Sequence, residues 1–272
     1  NLSGAPVIDA DVLLLPDLAQ EIFLSSGLAM ILMTAIVGQL TSQVNASYCM
    51  LDFIDTYVML FTLYVSLAIE ASGLLHSVYL VKMLFSKLAD KPIETQEAQR
   101  TTTQKLLFWS RVVMSLAILF FSFAVTLTAV FQGKTTMWEG VPKSVSVILF
   151  FVLMCIIGML EGMQIAFFAV TKLTKAEQGQ NLVAMKTCEL LFTQDGRNLP
   201  GFMIGRQICV TMCFFIIARV TTLDVDVDAG DETVFGVSNG WQAFFNTGIL
   251  GAIITTIVAS ITWQLVASAF PV

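Results

Sequence analysis

Two short motifs carry the residues best suited to chemistry. Glu161-Gly162-Met163-Gln164 lies inside a long apolar run, and Gly205-Arg206-Gln207 opens the next one. A carboxylate and a guanidinium are expensive to hold at membrane depth, and they persist where they pair, line a wet cavity or bind a ligand. Glu161 and Gln164 are three apart, so on a helix they share one face. Gly162 between them leaves backbone open to close approach by another helix or a small ligand. Two readings of Glu161 stand at this point: a ligand for an ion or substrate in a polar cavity, or a carboxylate near the headgroups at a helix end. Arg206 has the same ambiguity. It either snorkels to the interface or partners Glu161 and donates to a ligand. Gln164 and Gln207 add neutral groups that both donate and accept.

Further polar residues stand in apolar surroundings. Glu70 and His76 interrupt the run from Thr56 to Val81, with Glu70 the more deeply placed carboxylate. His76 reads as a packed, hydrogen-bonded core residue before a proton relay. Gln39 and Gln43 are four apart and share a face, where helix–helix hydrogen bonding is the plain reading. The five cysteines, Cys49, Cys155, Cys188, Cys209 and Cys213, form no CxxC pair and read as buried packing thiols. Catalytic signatures such as HExxH, GxSxG and the phosphate-binding loop are absent, so an enzyme is not expected. One histidine rules out a histidine-rich metal site, and Cys49 with Asp52 is too small a set to define one.

The elements that must position these groups are membrane helices. Hydrophobic residues make up 56% of the chain and charged residues 12%, too apolar for an ordinary soluble domain. Residues 112–131 carry no charge and could span a bilayer alone. Apolar segments are expected near 20–40, 56–81, 108–131, 144–171, 202–222 and 242–269, with no alternating barrel pattern. The expected fold is an all-α polytopic membrane protein with about six transmembrane helices in one domain over residues 1–272. The chain begins at Asn1 and reads as a piece of a longer protein. The net charge of −6 comes largely from loops, and no basic patch suits nucleic acid.

Orientation and repetition can also be read. Lys82, Lys87, Lys91, Arg100 and Lys105 crowd one loop, and Lys172, Lys175, Lys186 and Arg197 another. The loop 41–55 has no basic residue, and Asp224, Asp226, Asp228, Asp231 and Glu232 make a third loop acidic. The positive-inside rule puts the two basic loops in the cytoplasm and the sequon Asn45-Ala46-Ser47 outside. Glu70 with Arg111 and Glu161 with Arg206 form a weak repeat of order, each pair bridged by a basic loop.

At these residues a family resemblance enters. Glu161-Gly162-Met163-Gln164 followed by Gly205-Arg206-Gln207 resembles the EGxQ and GRQ motif pair of the diatom silicic acid transporters. Gly38-Gln39-Leu40 is similar to a further GxQ motif of that family, and Cys49-Met50-Leu51-Asp52 to its CMLD motif. The resemblance implies about ten helices, two EGxQ–GRQ pairs in inverted halves, and sodium-coupled uptake of silicic acid across a plasma membrane. Inverted halves conflict with the same-order repeat of Glu70 and Arg111. Expected solute contacts are Glu161, Gly162, Gln164, Gly205, Arg206, Gln207 and Gln39, with Glu161 or Glu70 holding sodium. Expected partners are silicic acid, sodium, the bilayer and further copies of the same chain, with no cofactor beyond the coupling ion. A passive channel for a small neutral polyol and a non-transporting scaffold or sensor are the competing readings.

Overall fold

The computed structural model describes residues 28–88, 101–138, 140–170, 182–196, 198–226 and 230–269. The acidic lead, residues 89–100 and the stretch 171–181 lie outside them, as do Lys91, Arg100, Lys172, Lys175 and Arg197. The described residues are helical, with one isolated bridge, Thr135 to Leu223, in place of any strand.

Helix α1 runs in three consecutive pieces, Leu28–Met33, Thr34–Leu40 and Thr41–Tyr48, the middle one a π-helix. It runs past the expected end at 40, and the expected start near 20 lies outside the described residues. Helices α2 (Tyr57–Ser72) and α3 (Val78–Leu88) divide what the sequence suggested was one segment. Gly73 is the reason: it takes φ 80°, closes α2 through its N–H on Glu70 O, and has no room for a Cβ against Arg111. Helix α4 (Thr102–Gln132) starts at a reciprocal capping box, with Thr101 and Gln104 each satisfying the other's backbone N–H. Helices α5 (Lys143–Val170), α6 (Leu182–Gly196), α7 (Asn198–Thr221), α8 (Asn239–Asn246) and α9 follow. Helix α9 also has three pieces, Ile249–Ile254, Thr255–Ile261 and Thr262–Ala269, with a π-helix in the middle.

Among the described residues, four helices are long and apolar enough to cross a membrane: α4, α5, α7 and α9. Helices α1 and α2 are apolar but shorter by that measure. Phe150, Leu153, Met154 and Ile157 of α5 pack with Val130, Ile217, Val220, Ile254 and Ala259 from the other three. The spacing along α5 is that of one helix face, and Glu161 continues the same stripe one turn on. On α7, Arg206 opens the stripe that Val210, Ile217 and Val220 continue. The apolar stripes thus carry the two charges into the bundle. The outward faces stay apolar too, with Phe120, Phe121, Ile148 and Met159 exposed, as lipid-facing surface is. Cys49, Cys155 and Cys209 share this exposure and are not the buried thiols expected, because a lipid-facing surface accepts a thiol as readily as a core does.

The ends of the bundle differ in charge. Thr136 N–H donates to Thr222 O, Asp224 N–H to Lys134 O, and Lys143 Nζ to Gln132 O, so the turns after α4 and α7 share one end. The opposite ends of α4 and α7, where the two basic loops attach, then lie together at the other. Single cysteines at Lys105 and Lys186, in a background with native cysteines replaced by serine, should therefore label from the same face. The expected result is protection of both from an impermeant maleimide added outside cells. Labelling from opposite faces overturns this arrangement.

Close approach between α5 and α9 depends on small residues. A Cβ on Gly158 would collide with the Trp263 indole, whereas one on Gly162 would meet Trp263 O at 3.4 Å and Ala267 Cβ at 3.6 Å. Gly158→Val is expected to destabilise by roughly 1–3 kcal/mol through overpacking. Gly162→Ala should cost far less. Thermal unfolding in detergent checks both, and equal losses would count against the packing described.

Candidate functional site

The charged pair forms in the second half of α5 and the first half of α7. Arg206 Nη1 lies 3.6 Å from Glu161 Oε1, with side-chain exposures of 1% and 13%. Helix α5 has 28 residues, so it is about 42 Å long against a hydrocarbon layer of about 30 Å. Centred on that layer, it holds Glu161 inside, away from the headgroups. Glu70 differs. Its side chain is 57% exposed at the end of α2, with Oε1 3.9 Å from His76 Nε2. The more buried carboxylate is Glu161, the reverse of the order expected from the sequence. The Gly73 break, which ends α2 just after Glu70, is the cause. His76 is buried and packs on Tyr79 and Phe108, as a core histidine does.

Around the pair runs a continuous chain of polar groups. Arg206 Nη2 donates to Gln207 Oε1 at 2.8 Å, and Nη1 to Leu160 O at 3.5 Å. Gln207 Nε2 in turn donates to Gln39 Oε1 of α1, which also accepts from Thr211 Oγ1 at 3.2 Å. Gln43 Nε2 reaches Gln207 Oε1 at 3.4 Å. On the other side of the pair, Gln264 Nε2 of α9 donates to Glu161 Oε2 at 2.9 Å and to Ser260 Oγ at 3.3 Å. Four helices, α1, α5, α7 and α9, therefore meet in one string from Ser260 to Gln43.

The two charges fix the direction of every amide in it. A guanidinium only donates, so Gln207 must turn its oxygen to Arg206 and its nitrogen to Gln39. A carboxylate only accepts, so Gln264 must turn its nitrogen to Glu161. The charges also balance each other. What remains open is one buried donor, Arg206 Nε, and one buried acceptor, Gln43 Oε1, neither of which has a partner among the described residues. Unpaired polar atoms in an apolar interior are costly and call for an occupant. Arg206 through Nη2 and Gln43 through Nε2 donate to the same oxygen, Gln207 Oε1, so the two open atoms belong to neighbouring residues of the string.

The other expected contacts are placed differently. Gln164 is half-buried on α5 and makes no hydrogen bond among the described residues. Gly162 is buried against α9, so its open backbone serves helix packing. Gly205 is exposed, with nothing near the position of a Cβ. Gln264, Ser260 and Thr211 join the string although the motifs did not indicate them. Among the described residues no three His, Cys, Asp or Glu side chains cluster as a metal would need. A separate cleft of about 610 Å³ opens at the end of the bundle near Trp138, Lys143, Arg219 and Asp224 and shares no residue with the string. Arg219 lies 5.2 Å over the Trp138 ring there, a cation–π contact that occupies the cleft wall.

The whole chain was then compared with known proteins. The family description "Silicon transporter" matches residues 1–272. Neither a curated protein nor a solved structure gave a match. A family match over every residue, on a helical bundle with membrane-length apolar helices, settles the affiliation: this chain belongs to the silicon transporter family.

Proposed function

We propose that the chain moves silicic acid across a membrane through the polar string at Glu161 and Arg206, driven by sodium. One observation carries the solute reading. The buried centre is charge-balanced yet keeps an unpartnered donor, Arg206 Nε, and an unpartnered acceptor, Gln43 Oε1. An anion would meet the guanidinium already neutralised by Glu161, and a cation would meet the carboxylate likewise. A neutral hydroxylic solute satisfies both open atoms at once, since each hydroxyl accepts and donates. Silicic acid, Si(OH)4, is such a solute.

Sodium coupling rests on Glu161. It is the only carboxylate of α5, and a sodium ion in an apolar cavity needs nearby negative charge to offset lost hydration. Its Oε1 lies 3.6 Å from Arg206 Nη1. Ser260 Oγ and Leu160 O place further hard oxygens on the same string. Glu70, exposed at the end of α2, is the second candidate for the ion. Uptake at the plasma membrane follows from this reading.

Three substitutions test it in proteoliposomes containing equal amounts of inserted protein. Glu161→Gln keeps shape but removes charge, and should weaken the sodium dependence of silicic acid uptake more than the affinity for silicic acid. Unchanged sodium dependence would transfer the ion role to Glu70. Arg206→Lys keeps charge but loses the planar fork that holds both Glu161 and Gln207, and uptake should fall about tenfold or more. Gln164→Ala should lower uptake while insertion is normal, because Gln164 shares a helix face with Glu161. Wild-type uptake in that variant removes Gln164 from the solute path.

A further inference from the structure

Helix α9 repeats helix α1. With Leu28 set against Ile249, every internal boundary coincides. Leu28–Met33 meets Ile249–Ile254, Thr34–Leu40 meets Thr255–Ile261, and Thr41–Tyr48 meets Thr262–Ala269. In this register Thr34, Ile36, Val37, Thr41 and Gln43 recur as Thr255, Ile257, Val258, Thr262 and Gln264. Leu40 becomes Ile261, Gly38 becomes Ala259, and Gln39 becomes the polar Ser260.

The bonds repeat as well. Thr34 Oγ1 donates to Met30 O at 2.8 Å, and Thr255 Oγ1 to Gly251 O at 3.0 Å, each one turn back. Thr41 Oγ1 donates to Ile36 O at 2.7 Å, and Thr262 Oγ1 to Ile257 O at 2.5 Å, each across five residues. The backbone N–H of each of these two threonines closes on the same carbonyl as its hydroxyl. π-turns are rare in proteins and concentrate at functional sites. Two of them, in corresponding positions and closed by corresponding threonines, mark one device used twice.

Each device ends on a glutamine that faces the charged centre. Gln43 turns Nε2 to Gln207 and leaves Oε1 without a partner. Gln264 turns Nε2 to Glu161; its Oε1 accepts no hydrogen bond among the described residues and, unlike Gln43 Oε1, is not among the buried unpartnered atoms. Gln39 and Ser260, one turn earlier, supply a second polar group to each side. The string thus has a free amide oxygen on each flank, one on Arg206's side and one on Glu161's. Two acceptors on opposite flanks fit a small solute whose hydroxyls point in several directions.

The geometry points to α1 and α9 as equivalent halves of one solute-binding surface, with Gln264 and Ser260 contacting the solute as Gln43 and Gln39 do. The solute class is a small neutral polyhydroxy compound, and the inference rests on the transport reading above. Thr41 and Thr262 are positioning residues that set the angle of each glutamine.

The test measures silicic acid uptake against external concentration in proteoliposomes holding the whole chain, with inserted protein quantified. Gln43→Ala and Gln264→Ala should each raise KM about tenfold, the effect of losing one solute hydrogen bond in a buried site, with maximal rate held within about twofold. Gln132→Ala, at the exposed end of α4, should leave both unchanged. Gln264→Met keeps length without the amide and carries the same expectation if the alanine variant inserts poorly. Thr262→Val should raise KM in the same direction, and Thr41→Val should match it. A wild-type KM in inserted Gln264→Met, beside a raised KM in Gln43→Ala, overturns the equivalence. Absence of uptake by the wild-type chain removes the transport reading instead, so the two failures are distinct.

Discussion

Arg206 sets the terms on which the interior of this bundle is built. Its guanidinium is permanently charged, nearly inaccessible and equipped with donors alone. Every group that approaches it must therefore offer an oxygen, and Glu161, Leu160 and Gln207 do. The orientation of Gln207 then dictates that of Gln39, and the carboxylate dictates that of Gln264. Two opposite charges order the amides of three helices without any further instruction. The same economy makes the centre brittle. Removing one member of a buried pair leaves the other uncompensated, at a cost of about 3–5 kcal/mol, a large share of a typical folding stability.

Packing delivers the charges to that position. The faces that bury Phe150, Met154 and Ile157 on α5, and Val210 and Ile217 on α7, are the faces that carry Glu161 and Arg206. Apolar cohesion and the polar centre are consecutive stretches of one stripe, so neither can shift without the other. Gly158 and Gly162 let α9 come close enough for Gln264 to reach the carboxylate, with Trp263 filling the gap at Gly158. Small residues that admit a neighbouring backbone are the usual means of association between helices in lipid, where apolar surface gains little from being covered.

Much of this was legible in the residues. The apolar runs announced helices, the lone carboxylate and guanidinium announced a pair, and the family resemblance held over the whole chain. Six apolar segments were readable, of which four are long and apolar enough to cross a membrane in the described structure. Glu70 was misjudged because depth along a sequence was taken as depth in the bundle, and Gly73 breaks that relation. The cysteines were misjudged because apolar neighbours do not distinguish a lipid-facing surface from a core. Gln264 was missed because an isolated glutamine in an apolar run has no local signature. Its signal was a distant one, the recurrence of Thr-x-Ile-Val with a following Thr-x-Gln in two helices far apart along the chain. The π-turns were not legible at all, since an extra residue in a helix turn changes no composition.

The wide turns have a mechanical meaning of their own. A π-turn amounts to one surplus residue in an otherwise α-helical register, and each residue of an α-helix turns through about 100°. Moving the surplus along the axis rotates only the residues it passes and leaves both ends of the helix where they were. In α1 such a migration would sweep through Thr41, Ser42 and Gln43, and in α9 through Thr262, Trp263 and Gln264. A helix built this way can turn that short stretch, in α9 Trp263 together with Gln264, while Leu28–Met33 and Ile249–Ile254 keep their register.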